Sequence, residues 1–247
     1  MARIVGIIPA RWASTRLEGK ALAPIAGKPM IQHVYERARQ ASGLERVLVA
    51  TDDERILRAV EGFGGEARMT RANHPSGTDR IAEVANDLDA EIIVNIQGDE
   101  PLIQPSNIEA AVAPLLADPT IPMGTLRTRI TGEQELRDPS VTKVVVDSHS
   151  FALYFSRFPI PFVRDQGTAA AHFRHIGLYV YRREFLLKYA GLAPTPLEKA
   201  EALEQLRALE HGYRIMVTEV AEAATGIDTP QQLADLRRLL EKPEGKE

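Results

Sequence analysis

The 247 residues are 44 % hydrophobic and 26 % charged, an ordinary globular balance with enough chain to bury a substantial core in one large domain or two small ones. The absence of cysteine excludes disulfides, thiolate catalysis and zinc–thiolate sites, and a net charge of −4 argues against a general nucleic-acid binder. Met1–Ala10 shows no basic start followed by an apolar export stretch, and no apolar run approaches the roughly 18 residues of a membrane span. The reading is a soluble cytoplasmic protein with neither nucleic acid nor membrane as partner.

In chain order, Arg3–Pro9 is nearly all apolar and predicts a buried strand. Pro29–Ala41 carries apolar residues at Met30, Ile31, Val34, Tyr35 and Ala38, which is helical spacing, and Gly43 closes it. Arg46–Thr51 predicts a second strand, Glu54–Phe63 a second helix, and Glu66–Thr70 a short strand. Ser76-Gly-Thr-Asp79 has the form of a capping signal for a helix running to about Leu88. Glu91–Gln97 is the clearest central strand, with a helix around Ser106–Ala117 after it.

After about Gly124 the rhythm changes. Thr142–Val146, Phe151–Arg157 and Arg174–Tyr181 predict strands with less helix between them, which suits antiparallel pairing, and Phe158–Phe162 predicts an irregular link. Pro196–Glu210 predicts a helix, Arg214–Val220 a strand and Thr229–Glu241 a closing helix with Pro230 in its first turn, followed by a frayed end over Lys242–Glu247. The fold expected is α/β: a mixed, mostly parallel central sheet with helices on both faces and an elaborated second-half lobe. The expected organisation is one domain over 1–247, with a first half to about 123, a lobe over about 124–220 and a closing segment over 221–247.

The first strand runs directly into Pro9-Ala-Arg-Trp-Ala-Ser-Thr-Arg-Leu-Glu-Gly-Lys20. Ligands of open α/β sheets bind beyond the carboxyl ends of strands, so this loop lies in the expected place. It is neither a dinucleotide fingerprint nor a Walker A loop. What it offers is small residues studded with Arg11, Ser14, Thr15, Arg16 and Lys20, whose amides and cations suit phosphate; the plainer alternative is a solvated loop paired with nearby acids.

Two carboxylates stand out. Asp99 follows the central strand within Gln97-Gly-Asp-Glu-Pro101, and Asp228 precedes the closing helix within Gly226-Ile-Asp-Thr-Pro230. Magnesium is typically held by one or two carboxylates plus phosphates and water, which this pair fits. Asp99 as a turn residue and Asp228 as a helix cap are the structural alternatives. Arg157, ending an apolar strand, wants an anion, either a ligand carboxylate or an internal partner. His175 reads as an ordinary strand histidine, and Glu204 as the partner of Arg207 one turn on. Trp12 reads as packing.

The run Ile8–Lys20 resembles the signature of the 3-deoxy-manno-octulosonate (Kdo) cytidylyltransferases, the CMP-Kdo synthetases. The resemblance continues in order through Gly27–Met30, His74–Asp79, Gln97–Pro101, Ala152–Arg157, Arg174–Gly177, Leu203–Leu206 and Gly226–Pro230. Glu18 departs from it, since relatives commonly carry proline there, which bears on the loop's rigidity and not on its chemistry.

The resemblance implies a nucleotide-diphospho-sugar transferase-like fold and a magnesium-dependent reaction of CTP with Kdo, giving CMP-Kdo and pyrophosphate for lipopolysaccharide core synthesis. It places Ala10, Arg11, Ser14, Arg16, Lys20, Arg71, Ser76, Gly77 and Gln97 on CTP, with Asp99 and Asp228 on Mg2+; Arg11, Lys20, Asp99 and Asp228 carry the chemistry. It aims Arg157, His175, Tyr179, Glu204 and Gln205 at the sugar acid, the arginine at its carboxylate. It also implies a homodimer, with the lobe as interface. Rival readings are a CMP-sialate or 8-amino-Kdo cytidylyltransferase of the same fold, or a regulator that binds CTP without turnover.

Overall fold

The computed structural model describes residues 2–13, 17–165, 170–222 and 226–240. The chain forms two compact units, Arg3–Pro105 with Ala224–Glu247, and Ser106–Ala223.

The first unit opens with β1, Ile4–Ala10, in which every residue but Pro9 is buried. A strand buried along its length needs cover on both faces, and the composition of this one supplies no polar face. A small antiparallel ribbon follows, β2 (Pro24–Ile25) and β3 (Lys28–Pro29), closed by Ala26 at φ 46° and Gly27 at φ 78°. Both turn residues are left-handed, as a two-residue hairpin turn matched to strand twist requires. The helix α1 spans Met30–Ala38 and buries Met30, Ile31, Val34, Tyr35 and Ala38, the apolar stripe read from the sequence. Next come β4 (Arg46–Thr51), α2 (Glu54–Gly62), β5 (Glu66–Met69), α3 (Gly77–Asn86) and β6 (Ile92–Asn95). Asp53 caps α2 by accepting from the Arg55 amide, and Ser76 caps α3 by accepting from the Asp79 amide.

These four long strands lie in the order β6-β1-β4-β5, all parallel. The chain steps outward from β1 through β4 to β5, then returns to the other side of β1. Right-handed crossovers therefore put α1 and α2 on one face and α3 on the other. The carboxyl ends of β1 and β6, which pair with each other, present their loops side by side.

The second unit contains α4 (Pro105–Ala117), β7 (Met123–Arg129), the short α5 (Glu133–Arg137), β8 (Lys143–Val146), β9 (Ala152–Ser156) and β10 (Phe173–Arg182). It continues through α6 (Arg183–Ala190), α7 (Pro196–Glu201), α8 (Leu206–Glu210) and β11 (Ile215–Glu219). The strand order is β11-β7-β10-β8-β9, antiparallel except for β11 against β7. The molecule is thus the mixed α/β protein expected, with parallel pairing concentrated in the first unit.

Three local readings need correction. The strand β7 was not anticipated, because Gly124, Thr125, Arg127 and Thr128 dilute its apolar signal. The eight-residue α6 follows β10 without a break and offers too short a period to stand out. The helix predicted over Pro196–Glu210 is two helices, since Ala202 adopts φ 50° and ends α7. A left-handed alanine is uncommon and stops an α-helix at once. The closing helix α9, Pro230–Leu240, returns to the first unit.

Candidate active site

In the first unit a cavity of about 310 Å³ opens where the loops after β1 and β6 meet the amino end of α3. From β1 come Pro9, Ala10 and Arg11; from the β6 loop come Gln97, Gly98 and Asp99. These strand ends approach so closely that a Cβ on Gly98 would stand 2.9 Å from the Pro9 carbonyl oxygen. Glycine is what lets Asp99 enter the cavity at this point.

Lys20 organises the floor. Its Nζ donates to Asp99 Oδ2 at 2.7 Å, to the Ile227 carbonyl at 2.9 Å and to Asp228 Oδ1 at 3.2 Å, so all three ammonium protons are spoken for. The two aspartates, far apart in sequence, therefore face a single cation. Asp228 is brought in by packing. Ile227 is buried with Ile25, Met30, Leu233 and Leu236, and its amide donates to the Asp99 carbonyl at 2.8 Å. Burying the three side chains of the closing segment, Ile227, Leu233 and Leu236, stabilises the attachment by roughly 5 kcal/mol before entropy is counted.

The structural alternatives for both aspartates fall to other groups. Thr229 caps α9, its Oγ1 accepting from the Gln232 amide while Gln232 Oε1 accepts from the amides of Asp228 and Thr229. The turn at Asp99 is closed by main chain, with the Glu100 amide donating to the Gln97 carbonyl. Both carboxylates are left facing the cavity. Among the described residues no cluster of three or more acidic or histidine side chains stands ready for a metal. The donor set suits a divalent cation held by two carboxylates and completed by substrate oxygens and water.

Ser76 and Gly77 line the same cavity. The Ser76 hydroxyl donates to Asp79 Oδ2 at 2.7 Å as well as capping α3, so the cap and the cavity wall are one structure. Arg71 is not among the lining residues; its Nε donates to Glu83 at 3.0 Å and its side chain is exposed. Ser14 and Arg16 lie outside the described residues. Two polar side chains of the lining were given no role from the sequence. Arg80 is buried, its guanidinium on Asp52 at 2.8 Å and on Thr70. His74 is nearly enclosed and bonds Glu83 through Nε2. Arg80 occupies a helix position that reads as a surface charge, and only its inward direction reveals it.

In the second unit the remaining candidates gather around a bulge in β10 between Ile176 and Tyr179. The Thr125 hydroxyl of β7 lies 2.9 Å from the carbonyl oxygens of both Ile176 and Leu178, and 2.8 Å from His175 Nε2. Its single proton points at the bulge carbonyls, so its oxygen accepts from the imidazole. This network assigns His175 the Nε2–H tautomer and leaves Nδ1 as an acceptor. Burial pushes the His175 pKa down to about 3, which keeps the ring neutral. Thr125 gave no signal in the sequence.

The Tyr179 ring lies 5.3 Å from that of His175, and burial, then the charge of Glu204, raises its phenol pKa. Tyr189 donates to the Glu204 carbonyl at 2.7 Å. The hydrogen-bonded partner of Arg207 is Glu198, in a two-point pair at 2.5 and 2.9 Å, with the charge of Glu204 a lesser influence. Gln205 is 4 % exposed and its Nε2 has no partner among the described residues. A buried amide without a partner is costly unless a ligand completes it.

Arg157 finds its internal partners in main-chain carbonyls, not in a side-chain carboxylate. Its guanidinium donates to the carbonyls of Glu201, Pro139 and Ala202 at 2.6, 3.0 and 3.1 Å, clamping the left-handed end of α7. Two of its five N–H groups remain for an anion. The nearby Lys143, fully buried, donates to the Asp138, Val141 and Arg157 carbonyls, and burial lowers its pKa.

The cytidylyltransferase family model matches residues 5–215. A 3-deoxy-manno-octulosonate cytidylyltransferase of Syntrophotalea carbinolica is 59 % identical over 238 residues, 93 % of this chain and 95 % of the relative. That of Geobacter sulfurreducens is 55 % identical over 249 residues, 97 % and 98 % of the two chains. A solved structure of a CMP:2-keto-3-deoxy-manno-octonic acid synthetase complexed with CTP superposes with a TM-score of 0.94 at 47 % identity, covering 98 % of this chain and 99 % of the other. A putative glucose-1-phosphate thymidylyltransferase from Bacillus anthracis, at 15 % identity and a TM-score of 0.68 over 99 % and 98 % of the chains, shares the fold. At this identity and coverage the chain belongs to the 3-deoxy-manno-octulosonate cytidylyltransferase family.

Proposed function

We propose that this chain joins Kdo to the cytidylyl group of CTP, releasing pyrophosphate, and that the first-unit cavity is where the phosphates react. The carrying observation is the convergence of Lys20 with Asp99 and Asp228 beside Arg11 on one cavity floor. In this reading the anomeric hydroxyl of the sugar acid attacks the α-phosphorus of CTP and the pyrophosphate bond breaks. Such a step needs alignment and charge neutralisation more than a covalent intermediate.

Arg11, Arg16 and Lys20 neutralise the phosphates and stabilise charge on the leaving group. Ala10, Ser14, Arg71, Ser76, Gly77 and Gln97 complete the CTP site, with small residues at the α3 amino end leaving room for the nucleotide. Asp99 and Asp228 would hold Mg2+, which would supply charge neutralisation at the reacting phosphate and lower the pKa of the attacking hydroxyl. The unpartnered Gln205 amide, the acceptor Nδ1 of His175 and the Tyr179 ring beside it support a site for sugar hydroxyls, with the spare N–H groups of Arg157 for the carboxylate.

The first unit then binds nucleotide and metal, and the second, as sugar lobe, also forms a homodimer. Exposed Leu153, Phe158 and Phe162 on that unit support the latter. The proposed enzyme works in the cytoplasm and feeds lipopolysaccharide core synthesis; no helix among the described residues is long and apolar enough to cross a membrane. The test is pyrophosphate release from each of the four nucleoside triphosphates with Kdo, with and without magnesium. Release confined to CTP, Kdo and magnesium is expected. CTP binding without release points to a regulator, and release only with sialate or 8-amino-Kdo replaces the acceptor.

A further inference from the structure

The first loop carries a device that the chemistry above does not use. Leu17–Lys20 is a β-turn, with the Lys20 amide donating to the Leu17 carbonyl at 3.1 Å and Gly19 at φ 67°, ψ 19°. A left-handed residue in the third position makes this a type II turn, for which proline is favoured in the second. That second position is Glu18. Its amide has no main-chain partner among the described residues, so nothing in the hydrogen bonding excludes a proline.

Instead, the Glu18 carboxylate reaches back across the loop and accepts from the Trp12 indole Nε1 at 2.9 Å. The Trp12 carbonyl accepts the Gly19 amide at 3.1 Å, and a Cβ on Gly19 would stand 2.9 Å from the indole ring. Against the same ring lies the Arg55 guanidinium, 3.3 Å from the centroid, itself held by two bonds to the α2 cap Asp53. Trp12 is therefore fastened at its carbonyl, its N–H and its ring, and the turn it fastens delivers Lys20.

We propose that Trp12, Glu18 and Arg55 form a latch that holds the Leu17–Lys20 turn, and with it Lys20, in place for phosphate, supplying the preorganisation that a proline at position 18 would otherwise give. Trp12 and Glu18 are positioning residues, acting through Gly19 and Lys20, and the inference rests on the cytidylyltransferase reading. A preorganised loop costs less ordering entropy when the nucleotide binds.

The test compares Glu18→Ala, Trp12→Phe and Glu18→Pro. Glu18→Ala and Trp12→Phe are expected to raise KM for CTP about fivefold, the worth of one modest hydrogen bond, with kcat and the KM for Kdo nearly unchanged. Glu18→Pro restores the wild-type KM, and in that background Trp12→Phe has little further effect. Trp12 is the single tryptophan, so its emission reports the contact directly, and Glu18→Ala shifts it toward the solvent-exposed wavelength without any ligand. An unchanged KM for CTP in Glu18→Ala, or a Glu18→Pro variant as weak as Glu18→Ala, overturns the proposal. If wild-type protein turns over no substrate, the functional reading fails separately, and CTP affinity from isothermal titration replaces KM in judging the latch.

Discussion

Replacing Lys20 by methionine isolates the electrostatics of the cavity floor, because the stem is kept and only the ammonium is lost. The Lys20 side chain is 16 % exposed, that of Asp99 29 % and that of Asp228 52 %, so the three bonds are partly screened. A charge-assisted bond in such a setting is worth about 1–2 kcal/mol, and the pair involving Asp228 less. Removing the ammonium also leaves two carboxylates facing each other without a counter-charge. A net loss of about 2 kcal/mol is expected, which for a chain of this size lowers Tm by about 4–8 °C.

Lys20 and a divalent cation draw on the same two carboxylates. Magnesium without nucleotide should therefore raise the Tm of Lys20→Met more than that of wild type. At about ten times Kd the gain is about 1.4 kcal/mol, or about 3–6 °C. Differential scanning fluorimetry across a magnesium titration reads both effects. Pyrophosphate release should fall by about 10²–10³ through the lost stabilisation of transition-state charge. A Tm equal to wild type, with an identical response to magnesium, refutes this account of the site.

Asp99→Asn and Asp228→Asn are each expected to cut pyrophosphate release by at least about a hundredfold, and isothermal titration should show weakened magnesium binding in the presence of CTP; turnover near wild type in either removes the metal assignment. Ile227→Ala, at a buried position, should cost about 2–4 kcal/mol in urea unfolding and release Asp228 from the floor, with CTP turnover falling in parallel. The pKa of His175 is depressed to about 3 from an unfolded value near 6.5, so between those limits the unfolded chain binds the extra proton. Stability from this group is complete above about pH 6.5 and declines as pH falls, by up to about 2 kcal/mol at pH 5. His175→Asn should flatten that part of the stability–pH curve, and a slope identical to wild type counts against the burial assigned to the ring.

Much of the architecture was written in short-range pattern. The apolar stripe from Met30 to Ala38, the unbroken apolar run of β1 and the cap at Ser76 each depend on neighbours a few residues away, and each is found where that spacing places it. The positions of the loop after β1 and of Gly98–Asp99 follow too, since strand ends in a parallel sheet share one edge. Where local pattern was weak or contradicted, the reading slipped. The polar β7 was unseen, and the helical composition of 196–210 hid the left-handed break at Ala202, which the Arg157 clamp on the Glu201 and Ala202 carbonyls holds in place.

By itself, then, the sequence determined most of the elements and the family. Tertiary structure alone decided which groups meet. It set Asp228 against Asp99 through the burial of Ile227, turned Arg80 inward onto Asp52, fixed the tautomer of His175 through Thr125 and fastened Trp12 to Glu18. The physical reason is one of range. Hydrophobic periodicity and capping are energies of adjacent residues, whereas an ion pair or a hydrogen-bonded tautomer exists only once packing has brought distant side chains within about 3 Å.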